Sequence, residues 1–345
     1  MTGPSTRAPE SRLAIIRLSS LGDIIHTIPA FDRLRRHFPA ARISWYVEPA
    51  GAELLAHFQG IDEIRVVRLK QGGPARKVRE IVRLKQAVET SYDHIFDFQG
   101  LLKSALISRI LPGPGHGFHR SNLREPAARF FYTTTVTPFD ETRHVIIKNL
   151  HLLSAVDIHD AEIDYPLRAL QPSETLRGIR EWSSEDHGGY MILNVGGGWD
   201  TKILGLDQFV DIVNRLAGRR IFILWGNDRE RRTAEAVQRR TGAEMAPFLT
   251  FSDLILFIRR ARVLIGGDTL ALHLADMVST PSVGIFGPTS PRRNGSLLAA
   301  SRAITAPVAC GFCYKKKCDK MDCLRAIPTP LIADSAEEIY EKELR

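Results

Sequence analysis

No window of this chain approaches the roughly 20 consecutive apolar residues that a membrane-spanning helix requires, so a helical span is not expected. The opening "MTGPSTRAPESR" lacks the apolar stretch of a secretory signal. The expected location is therefore cytoplasmic. Cysteine is scarce: four residues in 345, all between Cys310 and Cys323. That clustering argues against a disulfide framework and, in a reducing compartment, points to metal binding or redox chemistry. No repeat with a period of roughly 20 to 50 residues is visible, which sets solenoids aside. There is no G-x-G-x-x-G and no P-loop, so a dinucleotide site of the dehydrogenase type is poorly supported. Acidic residues are in deficit, with 39 Asp and Glu against 47 Lys and Arg and a net charge of +8. Such a balance favours anionic partners: nucleotides, nucleic acid or a phosphate-rich membrane surface.

What is present is an α/β pattern. At 345 residues the first expectation is two domains of similar size, here 1–170 and 171–345. "RLAIIRL" (12–18), "RISWYVE" (42–48) and "HIFDFQG" (94–100) read as strands, with helical stretches at "PAFDRLRRHF" (29–38) and "KVREIVRLKQAVE" (77–89). The pattern repeats from near Gly189 through "YMILNVGG", "LDQFVDIVNRLAG", "RIFILWG", "RVLIGGD" and "SVGIFG". Strands alternating with helices imply βαβ units and parallel sheets covered on both faces. Asp164 to His187, with Pro166 and Pro172, reads as the linker. Ligands in such folds bind beyond the carboxyl ends of the strands, so two sheets facing an interdomain cleft are expected to hold the site there.

Four segments carry candidate chemistry. In "LSSLGDIIHT" (18–27), Pro29 suits the first turn of a regular helix, leaving "GDIIHT" as a short turn ahead of it. Asp23 can then serve as a base facing the cleft, or with Ser19 or Ser20 as a helix-entrance cap. "NVGGGWDTKILG" (194–205) lets backbone approach a bulky ligand at Gly197 and Gly198, with Lys202 as a cation for phosphate, or is a glycine turn with a solvated lysine. "ILWGNDRERR" offers Asp228 and Glu230 beyond a strand end, where acidic side chains accept from ribose hydroxyls. "IGGDTLALHLADMV" runs a strand into a helix, with Asp268 and Thr269 at cap positions and His273 one turn on, an arrangement suited to a diphosphate.

Together these segments resemble glycosyltransferase family nine, the ADP-heptose:lipopolysaccharide heptosyltransferases, from "IIRLSSLGDIIHTIPA" through "YDHIFDFQGLLKSALIS" and "REPAARFFY" to "GGDTLALHLA" and "GIFGPTSP". The resemblance implies the GT-B architecture, two Rossmann-like domains with acceptor in the first and nucleotide sugar in the second. It implies Asp23 as the catalytic carboxylate of S-x-G-D, Lys202 as the phosphate-binding lysine, Glu230 as the ribose-binding glutamate, and Asp268, Thr269 and His273 as the D-T-G-x-x-H motif. Leu270 stands where the family has glycine, and Leu204 and Gly205 replace the usual W-P. The implied activity is inverting transfer of heptose from ADP-heptose to a phosphorylated lipopolysaccharide inner-core acceptor of Kdo and heptose, at the inner membrane surface and without a catalytic metal. Displacing a diphosphate from an anomeric carbon needs a base at the incoming hydroxyl and positive potential at the leaving group. One displacement inverts the centre.

Arg68, Lys70, Arg76, Lys77 and Arg79 flank a Gly-Gly-Pro loop, although Lys77 to Lys85 reads as a solvated helix face. Lys103, Arg120, Arg124 and His144 sit in family-like contexts and are the expected acceptor contacts. Cys310, Cys313, Cys318 and Cys323 are spaced C-x2-C-x4-C-x4-C, which suits a structural zinc or iron whose charge Lys315, Lys316 and Lys317 would offset, or else free thiols. Three rivals stand beside the main reading: heptose transfer to a protein acceptor, a non-catalytic sugar-nucleotide-binding protein, and a nucleic-acid module with a Cys-rich knuckle.

Overall fold

Residues 13–16 of strand β1 (Arg12–Ile16) have no exposed surface. A near-continuous apolar run is what a parallel strand needs when helices cover both its faces. The structure, a computed structural model, describes residues 11–69, 73–88, 91–179 and 189–342. The chain divides into two units, Met1–Arg168 and Ala169–Arg345.

In the first unit β1 is joined by β2 (Arg42–Val47), β3 (Glu63–Val66), β4 (His94–Asp97), β5 (Gly115–Gly117) and β6 (Thr134–Thr135), in the order β3-β2-β1-β4-β5-β6. The second unit contains β7 (Tyr190–Asn194), β8 (Arg220–Leu224), β9 (Glu244–Met245), β10 (Val263–Gly267), β11 (Ser282–Phe286) and β12 (Arg302–Thr305), ordered β12-β11-β10-β7-β8-β9. Every pairing in both sheets is parallel. The two orders are the same doubly wound arrangement. The direction of winding reverses between β1 and β4 in one unit and between β7 and β10 in the other, and ligands of such sheets bind at that reversal.

The N-terminal entrance follows the proline argument. A short helix, Leu21–Ile25, precedes a regular one, Ile28–His37, which has proline in its first turn. Strands β3, β5, β6, β9 and β12 are not legible in the sequence; they are two to four residues long and too short to show alternation.

The stretch expected as a linker is largely stitched to the units. Gln59 N–H donates to Pro166 O at 2.7 Å and Arg168 N–H to His57 O at 2.9 Å in the first unit. In the second, Ser173 caps the helix Glu174–Arg177, and its own N–H donates to Asp253 Oδ1 at 2.9 Å. Residues 180–187 of that stretch, and Lys70, lie outside the described residues.

Across β4 and β5, His94 Nδ1 and His116 Nε2 share a 3.0 Å hydrogen bond. Burial, with His94 beside it, pushes His116 down to about 4. A base whose folded pKa is depressed takes up a proton on unfolding. Its contribution is therefore complete above about pH 6.5 and is lost as pH falls from there to about 4. Urea melts should show wild type losing on the order of 2–3 kcal/mol more stability across that window than His116→Gln. Identical losses in the two proteins would remove this pair from the account of acid stability.

Candidate active site

In the first unit the chain leaves β1 through Arg17, whose buried guanidinium donates to Phe98 O and pairs through Nη2 with Asp23 Oδ1 at 2.7 Å. Ser20 N–H and O–H donate to Asp23 Oδ2 at 3.0 and 2.9 Å. The cap reading is therefore realised. It does not hide the carboxylate, whose side chain is 38% exposed while Arg17 is 8% exposed. Arg17 holds one oxygen of the carboxylate, and the Asp23 side chain stays partly exposed.

The loop that carries Asp23 is held by the neighbouring strand end. Gln99 Oε1 accepts from Leu18 N–H and Ser19 N–H, both at 3.1 Å. Gln99 is itself placed by Asp97, which has no exposed surface and accepts from Gln99 N–H at 2.9 Å, Gly100 N–H at 3.1 Å and Tyr132 O–H at 2.7 Å. Burial pushes the Asp97 carboxyl up despite these donors. None of Arg17, Asp97, Gln99 and Tyr132 was singled out from the sequence. The available signal was an acid, a glutamine and a glycine directly beyond a buried strand. Gln99→Ala should lower turnover roughly tenfold by loosening the Asp23 loop, with ADP affinity unchanged by calorimetry; unaltered turnover would show that the Gln99 contacts only support the fold.

The expected acceptor contacts have different fates. Lys103 lies in the first turn of the helix Leu102–Ile110, and Glu125 Oε2 accepts from Leu102 N–H at 2.6 Å, so Lys103 and exposed Arg124 stand one residue from a shared hydrogen bond. Arg120 is exposed at the start of a 3-10 turn. His144 is 7% exposed and N-caps the helix Val145–Leu152, Nδ1 accepting from Ile146 N–H at 3.2 Å, with its ring edge-on to His26 at 5.6 Å. Its position is that of a structural cap.

In the second unit the candidate groups converge at the ends of β7 and β10. Lys202 Nζ donates to Asp268 Oδ2 at 2.8 Å and to Asp268 O at 3.1 Å, and lies 4.4 Å from the Trp199 ring centroid. His273 Nε2 is 3.1 Å from Asp268 Oδ1, and Asn294 Nδ2 donates to Oδ2 at 3.2 Å. Burial alone would push the Asp268 carboxyl up; His273 and then Lys202 outweigh it and hold it well below the usual carboxylate range. Asp268 is therefore not a helix cap, as its position in the sequence suggested. Its side chain is 2% exposed and its two oxygens are taken up by Lys202 and His273.

Thr269 is no side-chain cap either. Its Oγ1 accepts from Asn194 Nδ2 at 2.9 Å, and no side chain caps the helix Leu270–Met277. Lys202 and His273 both contact Asp268, two residues ahead of this helix start, and a helix start with free amides beside basic side chains is suited to receive an anion. Leu270 has an ordinary negative φ. Glycine's conformational freedom is not needed there, and the difference from the family is one of side-chain bulk.

Glu230 stitches two strand ends together. Gly197 N–H donates to its Oε1 at 3.1 Å and Gly226 N–H to its Oε2 at 2.8 Å. A Cβ on Gly196 would stand 2.4 Å from that carboxylate, so glycine here lets Glu230 lie against the backbone. Gly198 is exposed, with open space around it. Leu204, where W-P was expected, is buried, and Gly205 N-caps the helix Leu206–Arg215.

The four cysteines are free, Cys310, Cys313 and Cys318 exposed and Cys323 buried. Cys323 packs into the core of the second unit, and burial followed by the three other thiols pushes its pKa up. Among the described residues no group of three or more His, Cys, Asp or Glu is arranged to hold a metal ion, so the zinc or iron suggested by the spacing gains no support.

Two doubly wound parallel sheets of six strands, the second with Lys202, Asp268 and His273 gathered at its reversal point, place the protein in the GT-B fold class. Residues 81–324 match Glycosyltransferase family 9 (heptosyltransferase), and the chain belongs to that family; it is a transferase. It is 27% identical over 321 residues to lipopolysaccharide heptosyltransferase 1 of Pseudomonas aeruginosa, covering 89% of this chain and 87% of that one. Among solved structures it is similar to the E. coli heptosyltransferase WaaC with ADP, at a TM-score of 0.74 and 21% identity over 95% of this chain and 99% of that one. It is also similar to WaaC with ADP-2-deoxy-2-fluoro heptose, at 0.70 and 20% identity over 96% and 99%. No helix among the described residues is long and apolar enough to cross a membrane.

Proposed function

We propose that this protein transfers heptose from ADP-heptose, with inversion, to a phosphorylated inner-core acceptor of lipopolysaccharide, working at the membrane surface as a peripheral protein. The observation that carries the reading is the arrangement of Lys202, His273 and the uncapped start of the helix Leu270–Met277 around one buried carboxylate. It offers positive potential with no side chain capping the helix start, which is what a departing diphosphate requires.

In this reading Lys202, His273 and the helix amides take up charge as the bond from the anomeric carbon to ADP breaks. Asp268 holds Lys202 and His273 in place and does not touch the diphosphate. Glu230 meets the ribose, with Gly197 and Gly198 giving the nucleotide room. Asp23 receives the proton of the acceptor hydroxyl. A carboxylate with a pKa of about 4 is a weak base for a sugar hydroxyl, so the proton moves late, once the anomeric carbon has oxocarbenium character and the hydroxyl has become acidic. The Arg17 pair keeps the carboxylate aimed, and the incoming hydroxyl displaces the Ser20 O–H from Oδ2. Lys103 and Arg124, with Arg120, hold the phosphates of the acceptor.

The names of the relatives support the donor and the acceptor class. The test is mass spectrometry of products after incubation with ADP-heptose and either a lipid-linked inner-core acceptor or a protein acceptor. A mass increase of one heptose on the lipid is the expected result. Heptose on the protein alone would replace the acceptor assignment, and ADP binding without any product would leave a sugar-nucleotide-binding protein.

A further inference from the structure

The Cys-rich segment is absorbed by no part of the mechanism above, yet it is built against the donor cradle. Phe312 N–H donates to Gly287 O at 3.1 Å and Tyr314 N–H to Pro288 O at 2.8 Å, so the segment runs along the loop that follows β11. Ser290 N–H donates to the Tyr314 hydroxyl at 3.2 Å. Thr201 O–H donates to Lys315 O at 2.8 Å, which ties the segment to the residue preceding Lys202.

That docking delivers a second cation. Lys316 Nζ lies 5.1 Å from the Trp199 ring centroid, and Lys202 Nζ lies 4.4 Å from the same centroid. Lys202 is compensated by Asp268, whereas no carboxylate among the described residues pairs with Lys316. Lys316 is exposed but rests on Trp199, half-buried in the glycine loop, and the cation–π contact keeps it there. Both ammonium groups therefore stand beside the same ring, within reach of an anion the size of a diphosphate.

Resting on the donor site proposed above, we infer that Lys316 is a second phosphate-binding residue for the nucleotide diphosphate, and that the 310–323 segment is a wall of the donor site. Trp199 is the shared platform that spaces the two lysines. The sequence suggested that the three consecutive lysines would offset thiolate charge; the position of Lys316 gives that residue a different task.

The experiment is calorimetric titration of ADP and of adenosine into wild type, Lys316→Gln, Lys316→Arg and Lys202→Gln at low and moderate salt, with thermal melts confirming that each variant is folded. Lys316→Gln should bind ADP about tenfold more weakly with a shallower salt dependence, Lys316→Arg should stay within about twofold of wild type, and adenosine should bind all of them alike. If Lys202→Gln weakens ADP while Lys316→Gln matches wild type, the inference about Lys316 is overturned and the donor-site reading stands. If wild type does not bind ADP, both fall together. Equal weakening of ADP and adenosine by Lys316→Gln would mean that the segment only supports the fold of the pocket, which also overturns the assignment.

Discussion

Asp23→Asn is expected to reduce heptose transfer by about a thousandfold, the range set by loss of a general base, while ADP affinity stays within about twofold of wild type. The physical ground is separation of labour. Asp23 sits in the short helix Leu21–Ile25 that follows β1 in the first unit, and every residue assigned to the diphosphate belongs to the second. Asparagine can still accept from the Ser20 N–H and O–H that Asp23 holds at 3.0 and 2.9 Å, but its NH2 then faces the Arg17 guanidinium and the 2.7 Å pair is lost as well. What is removed besides is a site for the proton. Arg17→Ala provides a graded control: it frees the carboxylate from the 2.7 Å pair and should lower turnover less than Asp23→Asn does. A stopped assay that found Asp23→Asn within about tenfold of wild type would move the base elsewhere.

The second large effect belongs to Asp268. Asp268→Ala leaves Lys202 and His273 buried beside each other without their carboxylate, and breaking a buried pair from one side costs about 3–5 kcal/mol. Chemical denaturation should show a loss of that size at neutral pH, and transfer activity should fall with it. The double variant Lys202→Met with Asp268→Leu replaces both charges by apolar groups. It should recover much of the stability and none of the activity, which separates support of the fold from service to the diphosphate. The pH dependence has a definite sign. The folded carboxylate is held below its unfolded value of about 4, so its stabilisation is present above that value and disappears as pH falls through it. The gap between wild type and Asp268→Ala should therefore close only below about pH 4, beneath the window in which His116 acts. A variant as stable as wild type at neutral pH would mean that the contacts of Asp268 with Lys202 and His273 contribute nothing net.

Residues differ in how far they could be read in advance. Long apolar runs such as "RLAII" and "YMILN", buried on both faces, declared themselves as parallel strands through composition alone. Pro29 and the glycines after β7 marked where regular structure stops, because their backbone restrictions are local. Asp23, Lys202 and His273 stood out because each follows a strand that ends in small or polar residues. Asp268 stood out for the same reason but for the wrong task. Its place just ahead of a helix resembles a cap, and only burial among cations shows that it serves them. Gln99 gave less warning. A glutamine acquires meaning when two amides just past β1, 81 and 80 positions away, present themselves to it.

The sequence by itself determined the α/β class, the pairing of two similar units and the resemblance to family nine, since periodicity, backbone restriction and short motifs are properties of neighbouring residues. Tertiary structure alone decided the strand order, and with it which loops share a reversal point. It set Gln99 under the Asp23 loop, closed Lys202 onto Asp268 across 66 positions and laid Lys316 on Trp199. Those contacts depend on parallel strand register and on how buried charge is compensated, and neither is encoded at any single stretch of chain.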